Sequence, residues 1–272
     1  MTVSLLTQRV IHNTTDISVN VGDFRSGVYS MTYVNTQYVY IGSSVPFNNI
    51  WVEMTTVASG TAGTPVIQVW YNGAWTAVVD IIDQTSGMTA SGRISWALDI
   101  DSGWSIEQDC DDVTGLTAFS IFNRYWMRIS WPNNFTCGLA YVGQKFSSDT
   151  MMESLYPDLM QSTILTGFKA GKTTWNEQHF MASESIIKEI RKRNFATQGG
   201  QLMDWSVFED AGCHKVAEIV YQAFGLPYVE HAKLSAARFQ AELSGKYYVV
   251  DVNKDGQISP NEIANRSGWM TR

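Results

Sequence analysis

The pattern of apolar residues changes near residue 147, and this change limits the folds that the chain can adopt. Before it, short runs of β-branched and aromatic residues alternate with turn sequences such as "YNGAW" and "WPNNF". Short strands at regular spacing, joined by Asn-Gly and Pro-Asn turns, are typical of two-sheet folds. We therefore predict an N-terminal antiparallel β-sandwich, jelly-roll-like, over residues 27–147. The predicted strands are "VYSMTYV", "QYVYIG", "IWVEMTTV", "PVIQVWY", "WTAVVDII", "GRISWAL", "TAFSIF", "YWMRISW" and "CGLAYVG".

The second half of the chain carries apolar residues at helical spacing, which predicts an α-helical bundle over residues 182–246. Its helices are predicted in "SESIIKEIRKRNF", "SVFEDAGCHKVAEIVYQAFG" and "YVEHAKLSAARFQAEL". The second helix is expected to begin with a capping box of Ser206 and Glu209 and to end at Gly225. The third is expected to turn three apolar side chains inward: Leu234, Phe239 and Leu243.

Three further segments complete the predicted organisation, whose class is β + α. Residues 1–26 form a polar, β-rich N-terminal arm that is expected to pair with a neighbouring chain. Residues 148–181 are predicted to be a linker with a short helix. Residues 247–272 hold an EF-hand-like calcium loop and a tail.

The stretch "DVNKDGQISPNE", residues 251–262, matches a calcium-binding loop. Alternate residues of such a curved loop point oxygens inward, and Gly256 takes the sharp turn. The alternative is an Asx-rich turn without an ion. The predicted calcium ligands are Asp251, Asn253, Asp255, Gln257, Ser259 and Glu262.

The segment before this loop favours a structural calcium ion over a calcium sensor. "SGKYYVV" is aromatic and β-branched, which predicts an extended entry. A sensor needs a helix on each side of the loop and an apolar groove to uncover. We therefore predict that Ca²⁺ fixes the C-terminal tail.

The sequence contains no recognised catalytic motif, and we predict that the protein is not an enzyme. His12, His179, His214 and His231 are neither at zinc-ligand spacing nor beside a nucleophile motif. A G-x-S-x-G turn, a phosphate-binding glycine loop and H-E-x-x-H are absent from the sequence. An enzyme would need a site assembled entirely by the fold.

The chain is acidic, with a formal net charge of −7, which argues against tight wrapping by DNA. A basic cluster of Lys188, Arg191, Lys192 and Arg193 nevertheless lies near the end of the first predicted helix. This cluster either faces a partner or is the exposed side of an amphipathic helix. Neither a long apolar run nor a signal peptide is recognisable, so we expect no membrane association.

The ten tryptophans suggest an alternative function, calcium-dependent carbohydrate binding, because aromatic faces stack on sugar rings. Trp70, Trp96 and Trp126 lie inside strand-like apolar runs, which favours burial. Trp75 and Trp104 stand next to turns and are predicted to be the exposed ones.

Several segments follow one another in a recognisable order over most of the chain. They are "YVYIGSSVPFNNIWVEM", "IQVWYNGAWTAV", "SGRISWAL", "YWMRISW" and "YVGQKFSSDTMMESLYPDLM", then the basic helix, "FEDAGCHKVAEIVYQAFG" and "AARFQAEL". This order resembles head-to-tail connector proteins, the neck adaptors, of tailed bacteriophages. These motifs are packing patterns and carry no catalytic signature.

The resemblance implies a structural virion protein, made in the cytoplasm of the host bacterium and located in the viral neck. It implies a homo-oligomeric ring, commonly of twelve copies, that sits below the portal protein and extends the DNA channel to the tail. The bundle would dock on the portal and on neighbouring copies, and DNA would pass without tight binding. Minimal adaptors are largely helical, so the sandwich and the calcium loop depart from the family and leave the sandwich's neck or tail partner open.

We expect Asp251→Ala and Glu262→Ala to abolish calcium binding and loosen the tail while the sandwich stays folded. An ion that binds only the native state must stabilise that state. Thermal melts of the wild type in calcium and in chelator should therefore differ, and melts of the variants should not. A wild-type melt that is the same in both conditions would contradict a structural calcium ion.

Overall fold

The computed structural model describes residues 8–97, 104–192, 202 and 204–245. The chain divides into two compact units, with the boundary after Gly143. The described part of the first unit contains two antiparallel sheets and a short helix, α1 (Ser18–Val21), and that of the second unit is helical. This arrangement confirms the predicted mixed β + α class, with helices toward the C-terminus.

Twelve strands lie in the described part of the first unit. They are β1 (Gln8–His12), β2 (Thr15–Asp16), β3 (Tyr29–Tyr33), β4 (Val39–Ser43), β5 (Asn49–Thr56), β6 (Val66–Tyr71), β7 (Ala74–Ala77), β8 (Val79–Asp83), β9 (Gly92–Ala97), β10 (Ile106–Asp109), β11 (Phe122–Ser130) and β12 (Phe135–Gly143). The first sheet has the order β2-β1-β4-β11-β6-β7, with β10 also paired to β11. The second sheet has the order β3-β12-β5-β9-β8.

One hydrophobic cluster is shared by the two sheets. It includes Ile41 and Met127 from the first sheet and Met31 and Leu139 from the second, all buried. Because side chains of a strand alternate between its two faces, the neighbours of these residues point away from the shared cluster. Both sheets therefore depend on the same apolar interior for their stability.

Two of the predicted strands differ in the structure. The run "WTAVVDII" crosses between the sheets at Val78, because β7 pairs with β6 of the first sheet whereas β8 pairs with β9 of the second. The run "TAFSIF" is not a strand apart from Phe122, and its Ile121 packs on the outer face of the first sheet instead. Both runs are apolar, so their sequence did not distinguish these placements from an ordinary strand.

The described part of the N-terminal arm pairs within its own chain, and the expected pairing of the arm with a neighbouring chain stays a prediction. Strand β1 is antiparallel to β4, with Gln8 opposite Ser43 and His12 opposite Val39. Val10 and Ile11 are both buried because β1 contributes to the two faces of the sheet.

The second unit is built from five helices in its described part. They are α2 (Asp149–Leu155), α3 (Ser162–Phe168), α4 (Asn176–Lys192), α5 (Glu209–Phe224) and α6 (Val229–Gly245). Helix α5 contacts the other four. It ends at Gly225, as predicted, where φ is +79° and a side chain would be strained. Within the described residues, no helix combines the length and the hydropathy needed to cross a membrane.

Residues 148–181 contain the predicted short helix, α2, which begins at Asp149, but the segment is packed helical structure and not a linker. Helix α4 begins at Asn176, before the expected start of the bundle, and α2 and α3 precede it. Met152, Leu165 and Trp175 are buried in one cluster with Val216 of α5. Sequence analysis did not predict α3, because a helix of this length shows little apolar periodicity.

Two details of the predicted bundle are also wrong. The hydroxyl of Ser206 donates to Asp204 Oδ1 at 2.6 Å, and no side chain caps α5, so the capping box is absent. Phe239 and Leu243 are buried as predicted, but Leu234 is 51% exposed. Phe239 follows Leu234 by five positions, which places the two side chains on different faces of a helix with 3.6 residues per turn.

We expect Gly42→Ala to destabilise the first unit. A Cβ at this position would lie 2.6–2.9 Å from ring atoms of Trp126, and Trp126 is fully buried and cannot move aside. Overpacking of this kind costs about 1–3 kcal/mol. Unfolding in denaturant should show this loss.

Gly60→Ala is the matched control, because a Cβ there would meet no atom within 4 Å. Equal stability of the two variants would contradict the close packing of Trp126 on Gly42.

Candidate functional site

The predicted calcium site falls on residues 251–262, outside the described part of the chain, and it stays a prediction. Arg193 of the basic cluster also lies outside the described residues. Across the described ranges, no group of three or more His, Cys, Asp or Glu side chains is placed to hold a metal ion.

The remaining members of the basic cluster are exposed at the end of α4. Lys188, Arg191 and Lys192 follow the buried Ile186 along the helix, and Ile190 is buried between them. The ammonium of Lys192 lies 2.6 Å from Glu189 Oε1, an exposed pair that contributes little stability. These residues therefore form the exposed side of an amphipathic helix, and their contact with a partner stays a prediction.

The tryptophans of the first unit are buried except for Trp51 and Trp75, which are partly exposed. Trp104 is only 7% exposed and packs against Phe47, with ring centroids 5.0 Å apart, so its predicted exposure is wrong. Trp70, Trp96 and Trp126 are buried, as predicted. Trp51 and Trp75 are therefore the tryptophans to consider for ligand contact in this unit. The indole N–H of Trp51 donates to Glu53 Oε2 at 2.7 Å, and Trp75 lies beside a cationic side chain.

Trp75 belongs to the outer face of the first sheet, the face away from the shared cluster. On this face Arg128 of β11 lies between Tyr40 of β4 and Gln68 of β6. Trp75 of β7 is opposite Trp70 in the next row. Pairing in register thus brings residues from four strands together, although they are far apart in sequence.

The segment 110–121 covers part of this outer face. Val113 and Leu116 are buried against it in one cluster with Tyr40 and Trp126. The indole N–H of Trp75 donates to the Thr114 carbonyl at 3.0 Å, and this hydrogen bond holds the segment against the sheet. Apolar surface that would otherwise be exposed is thereby removed from water.

The part that remains accessible is centred on Arg128, and we name Tyr38, Gln68, Trp75 and Arg128 the Arg128 platform. All four side chains are partly exposed. The guanidinium carbon lies 4.1 Å from the ring centroid of Tyr38 and 4.7 Å from that of Trp75. Its Nε–H donates to Gln68 Oε1 at 2.7 Å. Two cation–π contacts and one hydrogen bond therefore hold the guanidinium in place.

No carboxylate of the described residues forms an ion pair with Arg128. Burial raises the pKa of the neighbouring Tyr40 hydroxyl, and the positive charge of Arg128 opposes that rise. The platform therefore presents a positive charge between aromatic rings, a combination that can bind an anionic group and an apolar ring together.

Sequence analysis missed Arg128 as a candidate site residue. The available signal was a single basic residue within "YWMRISW", at an outward position of an otherwise apolar and aromatic strand. Its aromatic partners are Trp75 on β7 and Tyr38 directly before β4, so only the strand order brings them together.

The second unit contains a hydrogen-bonded chain of Ser147, His179 and Asp149. The Ser147 hydroxyl lies 2.7 Å from His179 Nδ1, and His179 Nε2 lies 3.1 Å from Asp149 Oδ1. Asp149 Oδ1 also accepts from the backbone N–H of Trp175 at 3.0 Å. With a proton on Nε2 donated to Asp149, Nδ1 accepts from the Ser147 hydroxyl.

These are the residue types of a nucleophilic triad, but the position of the serine gives them a structural role. Ser147 is 3% exposed, and a Cβ on Gly212 of α5 would lie 2.7 Å from its Oγ. A nucleophile must instead face the substrate atom that it attacks. The chain of hydrogen bonds satisfies buried polar groups and joins the start of α2 to α4.

Thiol chemistry at neutral pH is also not favoured in the described residues. Cys110, Cys137 and Cys213 are buried free thiols. Burial raises the pKa of Cys137 to about 12 and, together with the charges of Asp210 and Glu209, that of Cys213 to about 12. Both thiols therefore stay protonated, and a protonated thiol is a poor nucleophile.

Comparison with known proteins identifies no family. No protein family matches the chain, and no curated protein matches it. Among solved structures, the CpGH89CBM32-6 chain produced by Clostridium perfringens is 12% identical, with a TM-score of 0.28, covering 50% of this chain and 91% of that chain. The glycoside hydrolase CpGH89 from Clostridium perfringens, in complex with GlcNAc-alpha-1,4-galactose, is 13% identical, with a TM-score of 0.27. That match covers 76% of this chain and spans 21% of the hydrolase. These likenesses are too weak to carry an argument on fold or function.

We expect Asp149→Asn to reduce stability and to weaken its dependence on pH in the acidic range. Burial acts to raise the pKa of Asp149, but the hydrogen bond and charge of His179 and the N–H of Trp175 outweigh it, so the pKa lies below the ordinary 3.8. A carboxyl group whose pKa is lower in the folded state stabilises the fold at pH values above its unfolded-state pKa. This stability is lost as the pH falls through the folded-state pKa. Charged hydrogen bonds contribute about 1.5–3 kcal/mol, which bounds the loss at neutral pH.

The measurement is denaturant unfolding at a series of acidic pH values, with Asp158→Asn as the control because Asp158 is exposed in the same unit. The same pH dependence in the wild type and in Asp149→Asn would show that the Asp149 carboxylate does not stabilise the fold.

Proposed function

We propose that the protein is a head-to-tail adaptor of a tailed-bacteriophage virion, a structural protein without catalysis. It forms a ring below the portal and extends the DNA channel to the tail. The observation that carries the proposal is the order of the two units, an antiparallel two-sheet unit followed by a helical unit organised around α5. The resemblance to neck adaptors rests on the succession of sequence segments that runs through both units.

In finer detail, we propose that the first unit is a jelly-roll-like sandwich and that the chain ends in an EF-hand-like loop holding a structural Ca²⁺. The sandwich is supported by the single hydrophobic cluster that inward residues of both sheets share. The loop is supported by its sequence alone, with oxygen donors at the alternate positions that calcium requires.

Exposed side chains of the helical unit support contacts with the portal and with neighbouring copies. Leu226 is 89% exposed at the turn before α6, Leu234 is 51% exposed on α6, and Met181 is 41% exposed on α4. Exposed apolar side chains gain free energy when a partner covers them. The exposed Lys188 and Arg191 add charges that can pair with an acidic partner.

The acidic balance of the chain suits a channel through which DNA moves. A net charge of −7 repels phosphate, so DNA slides without tight binding. Contacts between copies in the ring then depend on apolar and polar groups. We propose a virion location in the neck, between capsid and tail, with no membrane partner.

Electron cryo-microscopy of the source particle tests this proposal. We expect ring-shaped density between capsid and tail that fits the chain, and particles lacking the protein should fail to join heads to tails. Density at the tail tip or on the capsid surface would contradict the adaptor role. So would particles that join normally without the protein.

The Arg128 platform favours a second candidate, a carbohydrate-binding virion module. Trp75 and Tyr38 offer aromatic surface, and Arg128 and Gln68 offer polar groups, the combination that saccharides require. Retention of the full chain on a glycan array would support this candidate. Loss of retention on chelation would support the calcium dependence predicted from residues 251–262, and a blank array would contradict carbohydrate binding.

A further inference from the structure

We infer that the Arg128 platform binds a saccharide bearing a carboxylate, with Arg128 recognising the acidic group. This inference rests on the carbohydrate-binding candidate and names its ligand class; it does not depend on the adaptor role. It is carried by three observations: a guanidinium without an ion pair in the described residues, aromatic rings beside it, and its position on a sheet face.

The guanidinium is prepared for an anion. Gln68 accepts the Nε–H at 2.7 Å, and the guanidinium also hydrogen-bonds the Tyr40 hydroxyl, so a ligand would use the remaining N–H groups of the fork. Tyr38 and Trp75 restrict the orientation of the fork, so little side-chain freedom is lost when a ligand binds. A carboxylate can accept two parallel hydrogen bonds from such a fork.

The groups around the guanidinium favour a sugar ring over a simple anion. The aromatic surface of Trp75 and Tyr38 can take the C–H groups of a pyranose, while hydroxyl groups need hydrogen-bonding partners. The amide nitrogen of Gln68 is such a donor, because its oxygen is the atom that accepts from Arg128. A carboxylate that carries no sugar ring, such as acetate, would contact Arg128 alone.

The position of the platform argues against a peptide or a nucleic acid as the ligand. Arg128 and Gln68 lie on strands in the middle of the sheet, whose backbone groups are paired with neighbouring strands, whereas Trp75 lies on β7 at the end of the strand order. A peptide that adds as a strand needs a sheet edge, and beside β7 it would be separated from the strand of Arg128 by β7 and β6. Glu107 and Asp109 on β10 belong to the same sheet, and their charges oppose a polyanion more than a single carboxylate.

The experiment is ligand-observed NMR titration of the full chain with methyl glucuronide, methyl glucoside and acetate. Hydrogen bonds to a charged group raise affinity about ten- to a hundredfold over a ligand that lacks the charge. We therefore expect the glucuronide to bind at least about tenfold more tightly than either of the other two. Arg128→Gln should reduce glucuronide binding to the level of the glucoside.

Arg124→Gln is the matched control, because Arg124 lies on the same strand and its guanidinium donates to the carbonyls of Phe122 and Asn123. It should keep the preference for the glucuronide. If Arg128→Gln does not fold, Arg128→Lys retains the charge but lacks the fork, and it should lose most of the preference.

Four outcomes would overturn the inference. Equal binding of glucoside and glucuronide leaves the carbohydrate-binding candidate standing but removes the acidic ligand. Binding of neither sugar defeats both. Acetate binding as tightly as the glucuronide would show that Arg128 recognises any small anion. Equal loss of the preference in the Arg124 and Arg128 variants would show a general charge effect instead of a site.

Discussion

The apolar cluster shared by the two antiparallel sheets is the interaction on which the N-terminal unit depends. Ile41 and Met127 of the first sheet and Leu139 of the second are buried together in this one cluster. Side-chain alternation along the strands then decides what the opposite faces carry. On β11 the inward Met127 and Ile129 place Trp126 and Arg128 outward, so the packing of the interior also positions the Arg128 platform.

Part of the outer face of the first sheet is covered by other residues of the chain, and part of it is exposed. Segment 110–121 covers Trp126 and Tyr40, and Gly42 gives the Trp126 ring the space that it needs. Arg128 remains beside this covered area, held by rings and an amide instead of a carboxylate. A charge held in this way keeps its capacity to attract an anion, which a salt bridge within the protein would reduce.

The helical unit uses polar groups in its interior for a different purpose. Ser147, His179 and Asp149 satisfy one another's hydrogen bonds in a closed environment, and their geometry orders α2 against α4. The same three residue types on an open surface would suggest catalysis. Burial of Ser147 against Gly212 is the physical difference, and it links this cluster to the stability of the fold.

The sequence by itself determined the change from strands to helices, most strand positions, the end of α5 at Gly225 and the burial of Trp70, Trp96 and Trp126. These features follow from local periodicity, turn chemistry and side-chain size. The calcium loop is also a local motif, and it remains a prediction from sequence. Only the tertiary structure decided where "WTAVVDII" crosses between sheets, that residues 148–181 hold helices besides the predicted short one and pack against α5, and which residues surround Arg128. Each of these depends on contacts between residues far apart in the chain, and periodicity within one segment does not encode its partners.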